Sequence, residues 1–130
     1  MKTAAELVAQ ATSEFENVPP KAVADEVAAG RAVLVDVREP EEWQHGHIEG
    51  SVPAPRGLLE FFADPTSPRY QKALDPNRRV IVVCASGARA SLAAVTLKEL
   101  GYEDVALLKG GLKSWTAAGL PTCEHQYAGI

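Results

Sequence analysis

The residues best suited to chemistry in this chain are Cys84-Ala85-Ser86-Gly87-Ala88-Arg89, in which four small residues separate a thiol from a permanent cation. Ahead of them runs Val80-Ile81-Val82-Val83, a β-branched apolar stretch too short for a helix and of the kind a parallel sheet buries on both faces. Behind them, from about Arg89 to Leu100, come good helix formers, and Gly101 stops the helix. Cys84 therefore stands where a buried strand gives way to a helix. The small side chains and the tolerance of Gly87 for positive φ allow a tight turn there. Its successive backbone N–H groups, backed by the positive end of the helix, form a nest for an anion. A thiolate would be stabilised in that nest beside the Arg89 charge and would attack an electrophile. The blander reading of the same pattern is a buried cysteine capping a strand next to a helix-starting arginine.

Other reactive side chains are sparse. Asp36 and Arg38 follow a second apolar run, Ala32 to Val35, at the sheet edge where open α/β folds bind ligands. A carboxylate and a guanidinium so placed read as a pair that braces loops rather than as reacting groups. His45 and His47 flank Gly46 and offer at most two metal ligands, and no second Cys/His cluster of zinc-site spacing follows, so no metal is expected. Cys123 reads as an incidental free thiol, since a disulfide to Cys84 needs close and well-directed backbones. Gly110-Gly111 lack the lysine and hydroxyl residue of a nucleotide loop and read as a sharp turn.

The elements that must hold these residues are legible in outline. Met1 to Phe15 reads as a helix with Thr3 and Glu6 at capping-box spacing and Leu7, Ala11 and Phe15 on one face, packing on the domain; docking of a partner is the alternative. Pro19-Pro20 breaks the chain, Lys21 to Ala29 forms a short helix, and Glu41 to His45 a turn of helix anchored by Trp43. Ser51 to Pro55 reads as a short strand limited by its prolines. Arg56 to Arg78 is irregular, with helical turns at Leu58 to Phe62 and near Arg69 to Leu74, and is long enough to wall the mouth of the site. Val105 to Leu108 is the last strand and Leu112 to Ala118 the last helix, with Trp115 a core anchor. This alternation predicts an α/β sandwich, a mostly parallel central sheet with helices on both faces, and Cys84 at the carboxyl edge of a central strand. The chain divides into a helical extension (1–18), one domain (19–122) and a tail (123–130).

Composition narrows the classes. One hundred and thirty residues suit a single domain, and 46% hydrophobic content supplies one core without disulfides or metals. A net charge of −4 with mixed signs and no basic run argues against a nucleic-acid partner. No apolar stretch is long enough to cross a membrane, and the beginning lacks the succession of a signal peptide, so a cytoplasmic location with reduced thiols is expected.

Three stretches, in order, resemble the rhodanese sulfurtransferase family. They are Val33-Leu34-Val35-Asp36-Val37-Arg38-Glu39-Pro40-Glu41-Glu42-Trp43 with Gly46-His47-Ile48-Glu49-Gly50-Ser51, the Cys84–Arg89 loop, and Leu108-Lys109-Gly110-Gly111-Leu112-Lys113-Ser114-Trp115 with Gly119-Leu120-Pro121. The resemblance implies a rhodanese fold and transfer of sulfur through a persulfide on Cys84. Ala85, Ser86, Gly87, Ala88 and Arg89 would cradle the persulfide, Arg89 would orient an anionic donor, and Asp36, Arg38 and His47 would support, His47 by hydrogen bonding. It implies a small-molecule donor, a thiol or cyanide acceptor, and no cofactor. Ala85 stands where several thiosulfate-using members carry a basic residue, and Ala90 where many carry serine or threonine, with Ser91 next. The donor is thus left open among thiosulfate, a low-molecular-weight persulfide such as that of glutathione, and a protein persulfide. The alternatives are a non-catalytic module on the same fold and a fold-related phosphatase or arsenate reductase. The latter enzymes place five residues between cysteine and arginine, where this chain has four.

Overall fold

The β-branched apolar runs do form strands, and the computed structural model, which describes residues 1–128, assembles them into one parallel sheet. The strands are β1 (Glu16–Val18), β2 (Val33–Asp36), β3 (Val52–Pro53), β4 (Val80–Val83) and β5 (Val105–Leu108), in the order β1-β5-β4-β2-β3. Every pairing is parallel, with β4 central and Val82 opposite Val35 on one side and Leu107 on the other. The helices are α1 (Ala4–Glu14), α2 (Pro20–Ala28), α3 (Pro40–Gln44), α4 (Leu59–Ala63), α5 (Ala88–Glu99) and α6 (Gly111–Ala117), with a 3-10 turn at Arg56–Leu58.

Alternation along β4 splits the core into two layers. Val80 and Val82 pack with Leu59, Phe62, Ala93 and Leu97 under α4 and α5. Ile81 and Val83 pack on the other face with Val23 of α2 and Trp115 of α6. All four β4 side chains are buried, each contributing about 1.5–3 kcal/mol by leaving water. The result is an α/β sandwich with helices on both faces, as the alternation of elements requires. Cys84 follows directly at the carboxyl end of the central strand.

Two elements differ from the sequence reading. Glu16-Asn17-Val18 is an edge strand paired with β5, so the sheet begins before Pro19. Two of its three side chains face solvent, leaving no apolar run to betray it. Arg69 to Leu74 forms turns rather than a helix: Gln71 N–H donates to Phe62 O (2.9 Å) and Leu74 N–H to Gln71 O (2.9 Å). The Leu74 carbonyl is taken by the Tyr70 and Tyr102 hydroxyls, and its side chain is fully buried, so tertiary partners replace helical ones. In the same segment Phe62 is core, Phe61 is half exposed, and Tyr70 packs against the core.

α1 carries the capping box expected of Thr3 and Glu6 and lies on α5, where Thr12 Oγ1 meets Ser91 Oγ at 2.7 Å. At the opposite sheet end, Arg79 binds Glu26 (2.7 Å), Asp104 (2.8 Å) and Glu16 (3.0 Å), joining α2, β1 and the start of β5. The tail is attached as well. His47 and Cys123 form an antiparallel bridge, each N–H donating to the other's carbonyl at 3.0 and 2.8 Å. No helix among the described residues is long and apolar enough to cross a membrane.

Candidate active site

Cys84 directly follows β4 with 1% of its surface exposed, and Gly87 turns the chain into α5 at φ +116°. A Cβ at Gly87 would meet nothing within 4 Å, so it is the left-handed backbone and not crowding that favours glycine there. Gly87 is the N-cap of α5 and has no side chain to accept the helix's first N–H groups. The Cys84 sulfur takes that role. The N–H groups of Gly87 (3.0 Å) and Ala90 (3.3 Å) donate to Sγ. Ala88 and Arg89 belong to the same first turn, whose N–H groups lack intrahelical partners and face the anion-attracting end of the helix dipole. Ala90 lies one residue beyond the loop expected to cradle sulfur and is a donor that the reading of side chains missed.

The loop is clamped from behind by α6. Leu112 N–H donates to Cys84 O (2.8 Å) and Lys113 N–H to Ala85 O (3.0 Å). Gly111, at φ +65°, passes so near that a Cβ would lie 2.6 Å from Ala85 O and 2.7 Å from Cys84 O. The paired glycines thus bring one helix N-terminus against the loop that starts another. Ser91 supplies a hydroxyl near the helix start, donating to Gly87 O (2.9 Å) and meeting the Thr12 hydroxyl of α1.

Arg89 has a partner that spacing could not reveal. Its guanidinium grips Glu42 of α3 through both nitrogens (2.7 and 3.1 Å), across 47 residues of sequence. The same carboxylate accepts the Glu39 N–H that begins α3 (3.0 Å). The Arg89 bond pulls the Glu42 carboxyl from the usual 4.5 down to about 2, and Glu42 in turn raises the Arg89 guanidinium. Asp36 and Arg38 pair with each other, Nε to Oδ1 at 3.0 Å and Nη2 to Oδ2 at 2.9 Å, while Nη2 also holds Gly46 O (2.7 Å). Both are buried.

His47 is buried, stacked on Trp43 with ring centroids 3.6 Å apart, and its Nδ1 lies 2.6 Å from Trp43 O. His45 points elsewhere, onto Glu41 O. The count of two metal ligands, His45 and His47, therefore needs correction. The tail brings Cys123 and His125 to His47, so that three ligand atoms lie within 4.8 Å of one another, a proximity across the chain that local spacing hides. Both cysteines are free thiols; burial and the Glu49 carboxylate raise the Cys123 thiol.

Two clefts touch the loop. One, of about 260 Å³, is lined by Ser86, Gly87 and Ala88 and by Val8 and Thr12 of α1. The other, of about 220 Å³, is lined by Ala85, Arg38, Leu112, Lys113 and Thr116. Their walls come from α1 and α6, not from 56–78 as the length of that segment suggested.

Comparison with known proteins shows the family. A sequence model described as "Rhodanese-like domain" matches residues 19–118. Thiosulfate sulfurtransferase GlpE of Stutzerimonas stutzeri is 30% identical over 113 residues, covering 87% of this chain and 95% of that protein. The Mycobacterium tuberculosis protein named "Probable adenylyltransferase/sulfurtransferase MoeZ" is 30% identical over 99 residues, covering 75% of this chain, which spans only 24% of its length. A solved structure from Rhodopseudomonas palustris, of unknown function and described as a "Possible Tyrosine Phosphatase", superimposes with TM-score 0.85 at 32% identity, covering 93% of this chain and 94% of that one. With the matched region running from the start of α2 to the end of α6 and enclosing the cysteine loop, the chain belongs to the rhodanese-like domain family.

Proposed function

We propose that this protein is a sulfurtransferase that carries a sulfane sulfur as a persulfide on Cys84. The observation that supports this most directly is the pair of backbone N–H groups, from Gly87 and Ala90, aimed at Sγ at the N-terminal end of α5. In the first step the Cys84 thiolate attacks the outer sulfur of the donor. With thiosulfate, that sulfur's bond to the sulfonate breaks and sulfite departs with the electron pair. The negative charge then rests on the outer sulfur of Cys84–S–S⁻, beside the N–H groups of the α5 first turn, which act as preorganised donors. An acceptor thiolate, or cyanide, attacks that outer sulfur and restores the Cys84 thiolate.

The donor is thiosulfate or a low-molecular-weight persulfide. Arg89 contributes less than an unpaired cation would, because Glu42 offsets its charge. Arg38 is likewise paired, with Asp36. Lys113, which lines the cleft beside Ala85, makes no ion pair among the described residues and is the group best placed to meet a sulfonate.

The test is intact-mass measurement of reduced protein after exposure to thiosulfate or to glutathione persulfide, with Cys84→Ser alongside. The expected result is a gain of one sulfur atom, reversed by cyanide or a thiol and absent from the variant. No gain from either donor, or rapid hydrolysis of an aryl phosphate by Cys84, would overturn the reading. The phosphate assay is included because of the description of the R. palustris structure.

A further inference from the structure

Outside the sulfur loop, one cluster of side chains has the composition and spacing of a metal site. His47 and Cys123 are opposite partners in an antiparallel bridge, so their side chains share a face, and His125, two residues on, returns to it. His47 Nε2 lies 3.1 Å from His125 Nδ1, and Cys123 Sγ lies 3.6 Å from the same nitrogen. In a tetrahedral zinc site, bond lengths of about 2.05 Å to nitrogen and 2.3 Å to sulfur separate two nitrogens by about 3.3 Å and nitrogen from sulfur by about 3.6 Å. Both observed separations are close to those edges.

The first ligand is also oriented in the manner of a metal-binding histidine. With Nδ1 committed as donor to Trp43 O and the ring stacked on the Trp43 indole, His47 presents the Nε2 lone pair to the cluster and has no freedom to turn away. Cys123 is partly exposed and His125 exposed, which leaves the cluster open to entry from solvent.

We propose that His47 Nε2, Cys123 Sγ and His125 Nδ1 bind a borderline-soft divalent cation, zinc(II), which ties the tail to the α3–β3 connection. Thiolate with two imidazoles is a donor set suited to zinc rather than to magnesium or calcium. On binding, the thiol releases its proton and His125 carries its own on Nε2. This site is separate from the Cys84 loop and does not depend on the sulfur-transfer reading.

The test uses the full chain, reduced and metal-free, titrated with cobalt(II) as a coloured stand-in for zinc. One equivalent should produce a thiolate-to-cobalt charge-transfer band and intense tetrahedral d–d bands, and zinc(II) should bleach both. Cys84→Ser should leave the spectrum intact, Cys123→Ser should remove the charge-transfer band, and His125→Ala should weaken binding by at least the roughly 10–100-fold typical of losing a supporting partner. Both altered residues are at the surface, and circular dichroism checks that the variants fold. Zinc(II) should also raise the melting temperature of the parent chain but not of Cys123→Ser. Absence of a stoichiometric cobalt complex would show a hydrogen-bonded triad only, and a charge-transfer band that vanishes with Cys84→Ser would place the metal on the other thiol; either result overturns the proposal.

Discussion

The hydrogen bonds to the Cys84 sulfur come from main-chain N–H groups rather than from acid–base side chains. The two N–H groups on its sulfur come from backbone that a substitution at Sγ leaves in place, so Cys84→Ser should fold and melt like the parent while accepting no sulfur, as circular dichroism and intact mass would show. Arg89 bears on the loop by a different route. Because both of its nitrogens bind Glu42, Arg89→Ala should lower turnover with anionic and neutral donors alike, and Glu42→Gln should do the same more mildly. A loss confined to anionic donors would show instead that Arg89 meets the donor directly. The clamp also has a pH signature. Glu42 titrates near 4.5 when unfolded and near 2 when folded, so the unfolded chain binds more protons between those values. Its contribution to stability is full above about 4.5 and lost as pH falls toward about 2. Both side chains are about a third or more exposed, so that contribution is below ~1 kcal/mol. The difference in melting temperature between parent and Glu42→Gln should shrink across that acid range and be constant above it.

At the scale of elements, the site is made where two helix N-termini converge on one loop. α5 supplies donors to the sulfur, and α6 supplies donors to the carbonyls of Cys84 and Ala85. Gly111 is the point of closest approach, and it combines positive φ with contact against backbone that cannot swing aside. Gly111→Ala should therefore destabilise the fold by about 1–3 kcal/mol in a urea titration, more than Gly87→Ala, whose added Cβ meets nothing within 4 Å. α6 also carries Lys113 into the cleft beside Ala85. Lys113→Ala should raise KM for thiosulfate several-fold while leaving an uncharged persulfide donor nearly unaffected; equal changes for both would remove Lys113 from donor recognition.

Across the whole molecule, the segments before and after the matched region are integral to the structure. β1 covers the edge of β5, with Lys109 N–H donating to Val18 O at 2.9 Å, and α1 lies over α5. Removing residues 1–14 should lower stability but leave the sheet edge paired. Removal of 1–18 should expose β5 as an unpaired edge and promote association, visible by size-exclusion chromatography. Equal behaviour of the two truncations would show that β1 contributes nothing beyond α1.

What the amino-acid sequence determined by itself was local. A four-residue β-branched run is buried on both faces because nothing in it is polar, and small residues with one glycine turn tightly because no side chain obstructs them. Those facts placed Cys84 at a strand end before a helix, and Thr3 with Glu6 at a helix start, without any knowledge of partners. Tertiary structure decided whatever depends on meeting across the chain. The pairing of Arg89 with Glu42, the support of the loop by Gly111 and α6, the strand formed by Glu16 to Val18, and the approach of Cys123 and His125 to His47 all join distant segments. Residue spacing carries no record of such contacts, because packing of the sheet and helices alone brings their backbones within hydrogen-bonding reach.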